Sequence, residues 1–429
     1  MYNLGIYLYQ LGVAIASLFS EKVRLMWRGE RAAVRQLREQ VDPAAQYVWF
    51  HAASLGEFEQ GRPLMEQLRR DHPEYKILLT FFSPSGYEVR KNYAGADIIC
   101  YLPLDTVTNA RRFLRAVRPV MAFFIKYEFW YNYLHILKHR GVPVYSVSSI
   151  FRPDQVFFKW YGRQYAHVLR CFTHFYVQNE ESRSLLGRLG LTNVTVTGDT
   201  RFDRVLQIKE QAKRIDEVEQ FLQANHGKKV FVVGSSWEQD EDVYLPYFSA
   251  HKDWLLIIAP HVASSERIKL LQERLNTMKL QAATLKELSR IVYDKGDSRY
   301  GPSAINKPAV LAGIHTLIID CYGLLSSIYR YADVTYVGGG FGVGIHNTLE
   351  AAVWDVPVIF GPNNHKFQEA QGLKALGGGF EIACNEDFRR LMDRFATDAD
   401  SLATAGRQAG DYVCRLSGAT SRILADVPF

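Results

Sequence analysis

The sequence predicts an α/β protein built from two doubly wound, Rossmann-like domains. Three observations carry this. Short apolar runs rich in β-formers alternate with stretches of helical periodicity, a rhythm that means βαβ units and a parallel sheet covered on both faces. The rhythm breaks once, in a polar and charged stretch at 204–228, and then restarts. The chain also has 429 residues, more than one hydrophobic core usually organises.

In the first half, Tyr47–Phe50, Ile77–Phe82, Ile98–Leu102, Val120–Ile125, Val142–Val147 and Phe172–Val177 read as strands, with helices such as DTVTNARRFLRAV between them. In the second half, Val230–Val233, Trp254–Ile258, Thr316–Ile319, Val334–Val337 and Val356–Phe360 read the same way. The expected organisation is a membrane anchor with a basic flank at 1–40, an N-terminal domain at 41–205, and a linker with a surface helix at 206–228. A C-terminal domain follows at 229–400, then a last helical stretch at 401–429 that packs back on one of the two domains. Ligands of such sheets sit beyond the carboxyl ends of the strands, so a cleft between the domains is expected to hold the site.

The first twenty residues carry no charge, and Lys22, Arg24, Arg28, Arg31, Arg35 and Arg38 follow them. A secretory signal places its positive charges before the apolar run. The segment therefore reads as an uncleaved anchor, spanning or lying on the membrane, with the rest of the chain cytoplasmic. A helix packed on the protein's own core is the alternative. The formal charge of +6 suits an anionic ligand or surface, and neither an RNA-binding signature nor a helix-turn-helix is present. Five scattered cysteines, none in a CxxC pair, argue against a disulfide framework and a zinc site. The segment 151–170 interleaves aromatic and basic residues, as an interfacial helix or an amphipathic core helix does.

Chemistry-bearing residues fall after strands. In HAASLGEFEQ, Ser54, Gly56 and Glu57 stand where a strand hands over to a helix. Ser83, Ser85 and Gly86 follow the next strand, and Lys126 and Glu128 follow a later one. Arg201, beside Asp199 and Asp203, suits phosphate or carboxylate recognition, because a guanidinium matches either bidentately. In the second half, Gly338–Gly340 lead into a helix expected to begin near His346, with Glu350 on the same face. Glycines that admit a ligand, a helix start and a carboxylate for ribose hydroxyls make a nucleotide site through Gly339, Gly340, His346 and Glu350. Neither a Walker A loop nor a GxGxxG after the first strand is present. Ser235 and Ser236, His261 and Arg267, and Asp320 and Gly323 follow other strands, and together line one edge.

The order of these motifs resembles the 3-deoxy-D-manno-octulosonic acid (Kdo) transferases of lipopolysaccharide synthesis. The matching segments are HAASLGE, FSPSG, KYEFWYN, QNEE, VTGDTRFD, SSWEQDE and GIHNTLEAA…GP, in sequence over about residues 1–375. The resemblance implies a GT-B fold and inverting transfer of Kdo from CMP-Kdo to the lipid A precursor at the cytoplasmic face of the inner membrane. It implies neither a cofactor nor a metal. It places the catalytic base at Glu57, where composition alone leaves a capping role equally open, and it adds Asn347 to the donor residues. Trp237, Tyr131 and Leu324 depart from the family pattern, as does PHVASSER at 260–267. Rival expectations are a GT-B enzyme using or epimerising a UDP-sugar, and a membrane-attached scaffold without activity.

Overall fold

A computed structural model describes residues 2–293 and 307–429. The chain divides into two units, Met1–Arg204 with Leu416–Phe429, and Val205–Arg415.

The first unit is one parallel sheet of β1 (Gln46–His51), β2 (Tyr75–Phe81), β3 (Ile98–Tyr101), β4 (Met121–Ile125), β5 (Val144–Ser149), β6 (His174–Val177) and β7 (Val194–Val196). Their order is β3-β2-β1-β4-β5-β6-β7. The strands read as unbroken apolar runs because both faces are covered. Along β1, Val48 and Phe50 join a core with Phe58, Leu64 and Met65, while Tyr47 and Trp49 join another with Phe113 and Tyr133. Strand order reverses between β1 and β4, the kind of switch point where such sheets bind ligands. The relevant helices are α1 (Tyr2–Ala16), α2 (Glu21–Gln40), α3 (Leu55–Asp71), α4 (Pro84–Arg90) and α5 (Val107–Val117).

The second unit repeats the plan with β8 (Lys229–Ser236), β9 (Trp254–Pro260), β10 (Ala282–Thr284), β11 (Thr316–Ile318), β12 (Val334–Val337), β13 (Val358–Phe360) and β14 (Gly379–Glu381). Their order is β10-β11-β9-β8-β12-β13-β14, so the reversal lies between β8 and β12. The two-domain α/β fold expected from the sequence is present. The edge strands β10 and β14 were outside the expectation, being three residues each and too short for a period to register.

Two local readings change and two are refined. The charge-free N-terminal segment forms only a 15-residue helix, and among the described residues no helix is long and apolar enough to cross a membrane. It is tied to the first unit: the Tyr2 hydroxyl donates to Asp105 at 2.6 Å and the Asn132 amide donates to Asn3 at 2.9 Å. The stretch 151–170 is a series of short 3₁₀ turns with a single helical turn, not one interfacial helix. Gly162 there has no room for a Cβ against the Val156 carbonyl, which holds the chain in its turn. Residues 204–228 run through helices Arg201–Gln211 and Asp216–Ala224. The C-terminal stretch is two helices. Ala399–Leu416 closes the second unit, and Ala419–Asp426 belongs to the first. There Ile423 and Val427 enter the core, and Asp203 accepts backbone N–H groups from Gly418 and Thr420.

Candidate active site

Glu57 sits at the third position of α3, whose N-cap is Ser54. The Ser54 backbone N–H and hydroxyl both donate to Glu57 Oε2, at 2.7 and 2.8 Å, in a capping box. The side chain is thus held in one rotamer at the carboxyl end of β1, half-buried, beside the switch point. Gly56 next to it is exposed. The nearby carboxylate of Glu59 is consumed: Oε1 lies 2.8 Å from Arg90 and Oε2 lies 2.9 Å from Arg204. The β2–α4 loop is hydrogen-bonded to the same turn, since the Phe82 and Ser83 N–H groups donate to the Ala53 carbonyl. Ser83 caps α4 and its hydroxyl meets that of Ser85 at 2.7 Å. A Cβ on Gly86 would strike the Phe81 ring and crowd the Ser54 carbonyl carbon at 3.1 Å. Ser54, Gly56, Glu57, Ser83 and Ser85 are therefore one surface, with buried Gly86 packed beneath it.

Across the switch point, Glu128 follows β4. Its Oε2 accepts from the Trp130 indole at 2.6 Å and lies 3.1 Å from His51 Nε2. The His51 ring is fully buried, with Nδ1 2.9 Å from the Thr80 hydroxyl, which also accepts from Trp49 at 2.8 Å. His51 is the residue that motif reading passed over, although it opens the HAASLGE segment. Lys126 and Ser148, at the ends of β4 and β5, are non-glycine residues in the left-handed region, with φ 65° and 50°. Each such residue costs of the order of 1 kcal/mol, and such strain concentrates at functional sites. Lys126 and Arg152 both lie against the Tyr127 ring, and the Arg201 charge reaches the Tyr127 hydroxyl. Arg201 is oriented by Asp199, whose Oδ2 accepts from Nε at 2.8 Å while Gln60 holds Oδ1 at 3.0 Å.

In the second unit the glycine loop differs from expectation. Its N–H groups are largely spent inside the protein: Gly338 donates to the Gly234 carbonyl, Gly339 to Asp240, and Gly342 and Gly344 to the Gly339 carbonyl. Its glycines are required by close backbone approach. A Cβ on Gly338 would meet the Ser235 carbonyl, and one on Gly340 would lie 2.6 Å from Gly361. The helix opens at Leu349 rather than near His346 and lasts four residues, so His346 lies in the loop and not on a helical face with Glu350. Glu350 Oε1 accepts from the Asn347 amide at 2.9 Å.

What the loop does present is an aromatic stack. The ring of His261 is stacked between Trp237 and His346, with centroid distances of 4.4 and 4.5 Å. The Trp237 indole donates to His346 Nε2 at 3.3 Å, which requires the tautomer with its proton on Nδ1. Burial, then the neighbouring His261, holds the His346 pKa below the ordinary histidine value. The residue that departs from the family pattern, Trp237, is thus part of the surface.

The remaining expected residues have structural partners. Ser235 has φ 52°, a third non-glycine residue in the left-handed region at a strand end. Ser236 meets the Tyr244 hydroxyl at 2.9 Å. Arg267 pairs with Glu241, a fully buried carboxylate whose pKa burial raises to about 7 against the pull of two arginines. Asp320 accepts from the Lys286 backbone at 3.3 Å and so caps the neighbouring helix. Gly323 is in the left-handed region at φ 87°. Asp240 went unnoticed in the sequence, yet it accepts from Gly339, Trp237 and Tyr336 and ties the β8 and β12 loops together.

Residues 26–204 match the family described as 3-deoxy-D-manno-octulosonic-acid transferase (kdotransferase). The first unit therefore carries a domain that matches the Kdo transferase family. Full-length relatives extend the match into the second unit. The Kdo transferase of Haemophilus influenzae is 25% identical over 396 residues, covering 89% of this chain and 86% of that protein. That of Bordetella pertussis is 28% identical over 363 residues, covering 82% and 79%. Among solved structures, the UDP-GlcNAc 2-epimerase of Neisseria meningitidis bound to UDP-GlcNAc superposes with a TM-score of 0.60 at 13% identity, over 89% of this chain and 99% of that one. At that identity the likeness is one of fold, and it is the GT-B fold expected of a Kdo transferase.

Proposed function

We infer that this glycosyltransferase moves Kdo from CMP-Kdo to a lipid A precursor, with inversion, and that Glu57 is its general base. The observation that carries the reading is the GE turn itself. Glu57 stands at the carboxyl end of β1 with its rotamer fixed by two donors from Ser54, while Glu59, its competitor, is tied to two arginines. A sugar hydroxyl is a poor nucleophile and needs a carboxylate within hydrogen-bond reach. The acceptor hydroxyl would surrender its proton to Glu57 as its oxygen bonds to the anomeric carbon of Kdo. The bond from that carbon to the CMP phosphate oxygen breaks, and CMP leaves with the electron pair. Exposed Gly56 leaves room for the acceptor, and the seryl hydroxyls of the α4 turn offer partners to its other groups.

On this reading the second unit binds the donor. Trp237, His261 and His346 offer stacked rings and an Nδ1 proton donor, and Asn347 and Glu350 offer polar groups for ribose hydroxyls. Lys126 and Arg201 supply positive charge for a phosphate or for the Kdo carboxylate. Neither a cofactor nor a metal is part of the proposed reaction, so a chelator should leave turnover unchanged. The membrane reading rests on α1, where Leu4, Leu8, Leu11 and Ile15 recur at helical spacing and are all more than half exposed. They would lie in the inner-membrane interface rather than span it.

The test is a transfer assay with CMP-Kdo, generated in place, and a tetra-acylated lipid A precursor, read by mass spectrometry of the lipid. A gain of one Kdo mass or more establishes the activity and counts the sugars. No gain with CMP binding intact overturns the acceptor. No gain with UDP binding tighter than CMP favours a UDP-sugar enzyme.

A further inference from the structure

Two helices of the first unit, α2 and α5, enclose a groove of about 670 Å³ that the catalytic reading does not use. Arg31, Arg38 and Arg112 line it, all with exposed side chains and, among the described residues, none paired with a carboxylate. Its floor holds Glu30, only 4% exposed, whose Oε2 accepts the Leu104 N–H at 3.3 Å and whose Oε1 has no protein partner. The floor is buried because α2 lies tightly on edge strand β3. Gly29 packs on the Tyr101 ring where a Cβ would overlap it, and the Gln36 amide donates to the Ile99 carbonyl at 2.9 Å. The rim continues into a second basic hollow containing Arg38, Arg112, Arg115 and Arg118. On its other side the wall includes Gln10 of α1, the helix that carries the exposed apolar stripe.

We propose that this groove is a headgroup site for a phosphate monoester on a membrane lipid, with Arg31, Arg38 and Arg112 gripping its oxygens and Glu30 donating a hydrogen bond from the floor. The proposal rests on the membrane-surface reading above and deepens it. Three unpaired guanidiniums match the fork geometry of a phosphate. An ionised Glu30 would repel the ligand, but burial pushes its carboxyl up to about 8, so at neutral pH it is a donor. The apolar stripe on α1 selects a lipid-borne phosphate over a free one, since acyl chains and headgroup can then be met by neighbouring surfaces.

The experiment is vesicle cosedimentation of the full chain, which needs no turnover and so fails or succeeds independently of the Kdo transfer reading. Phosphatidylcholine vesicles carrying about 20 mol% phosphatidic acid are compared with phosphatidylglycerol vesicles of matched surface charge. The parent should prefer the monoester, and the triple variant R31A/R38A/R112A should lose about tenfold on phosphatidic acid and much less on phosphatidylglycerol. The triple Arg→Lys variant keeps the charge and the fold but not the fork, and should lose the preference too. Equal binding of parent and lysine variant to both vesicles would reduce the groove to diffuse charge and overturn the site. Saturable, tight binding of inorganic phosphate without vesicles would overturn the lipid as its source.

Discussion

His51 Nε2 lies 3.1 Å from Glu128 Oε2, so a fully buried ring at the end of one central strand holds a carboxylate at the end of the next. The pair bridges β1 and β4, the strands that flank the switch point of the first sheet. With the Trp130 indole on the same oxygen, Glu128 is fixed by two donors. His51→Gln keeps a hydrogen-bonding side chain of similar length but not the ring. We expect it to fold, to bind CMP as the parent does, and to lose about tenfold or more in kcat, read by steady-state transfer kinetics. A fall in CMP affinity with kcat unchanged would place the pair outside the acceptor side.

Glu57→Gln separates catalysis from capping. Glutamine serves at the third position of a capping box as glutamate does, so the melting temperature should barely move. Transfer should fall by about 10²–10⁴-fold, the usual contribution of a general base. Ser54→Ala is the complement: it removes a donor on Glu57 and should cost about 1 kcal/mol of stability with a smaller loss of rate.

Trp237→Phe keeps the ring stack and removes the indole donor to His346 Nε2. The His346 tautomer is then no longer fixed, and CMP affinity should drop about tenfold, by calorimetry, if one hydrogen bond to the ligand is lost. The depressed His346 pKa sets the pH behaviour. The ring stays neutral in the folded protein while the unfolded chain takes up a proton as pH falls below about 6.5, so its contribution to stability is present at neutral pH and is lost on acidification.

Glu30 shows the opposite sign. Its folded pKa is raised by burial, so the folded protein keeps the proton to about pH 8. Below the normal carboxylate range both states are protonated and nothing is lost. As pH rises from about 4.5, the unfolded chain ionises first and stability falls. Glu30→Gln removes this dependence, so its melting temperature should overtake the parent's progressively toward pH 8.

Ile423 tests the C-terminal helix. It is fully buried in the core of the first unit, although, Val427 apart, the buried residues of that core end at Tyr176, more than two hundred residues earlier in sequence. Ile423→Ala should destabilise by about 2–5 kcal/mol, as core truncations do, and hydrogen exchange should place the loss in β1, β2 and β4 rather than in the second unit.

The strands of both units were legible because both faces of a parallel sheet are buried, which writes each central strand as an unbroken apolar run. Glu57 was legible as a carboxylate where a strand hands over to a helix, and only the resemblance implied a catalytic role for it. What the sequence concealed depends on partners distant along the chain. The N–H groups of Gly338 and Gly339 looked available until Gly234 and Asp240 took them. The partner of His51, Glu128, is 77 residues away. Glu30 sits inside the basic run 22–38, where no sequence pattern marks it as interior, and the packing of Gly29 on Tyr101 draws it in. The 151–170 stretch has the composition of an interfacial helix, and only its contacts, with Phe157 buried and Trp160 exposed, break it into turns.

The return of the chain to the first unit at Leu416 also bears on synthesis. The second unit is continuous in sequence, from Val205 to Arg415, and every strand of its sheet is translated before the chain returns to the first unit. The first unit, begun earlier, lacks Ile423 and Val427 until the segment after Leu416 is translated and clears the exit tunnel. The half made first is therefore the half completed last. A chain truncated short of Leu416 would leave the first unit with an open apolar seam, where chaperones would bind.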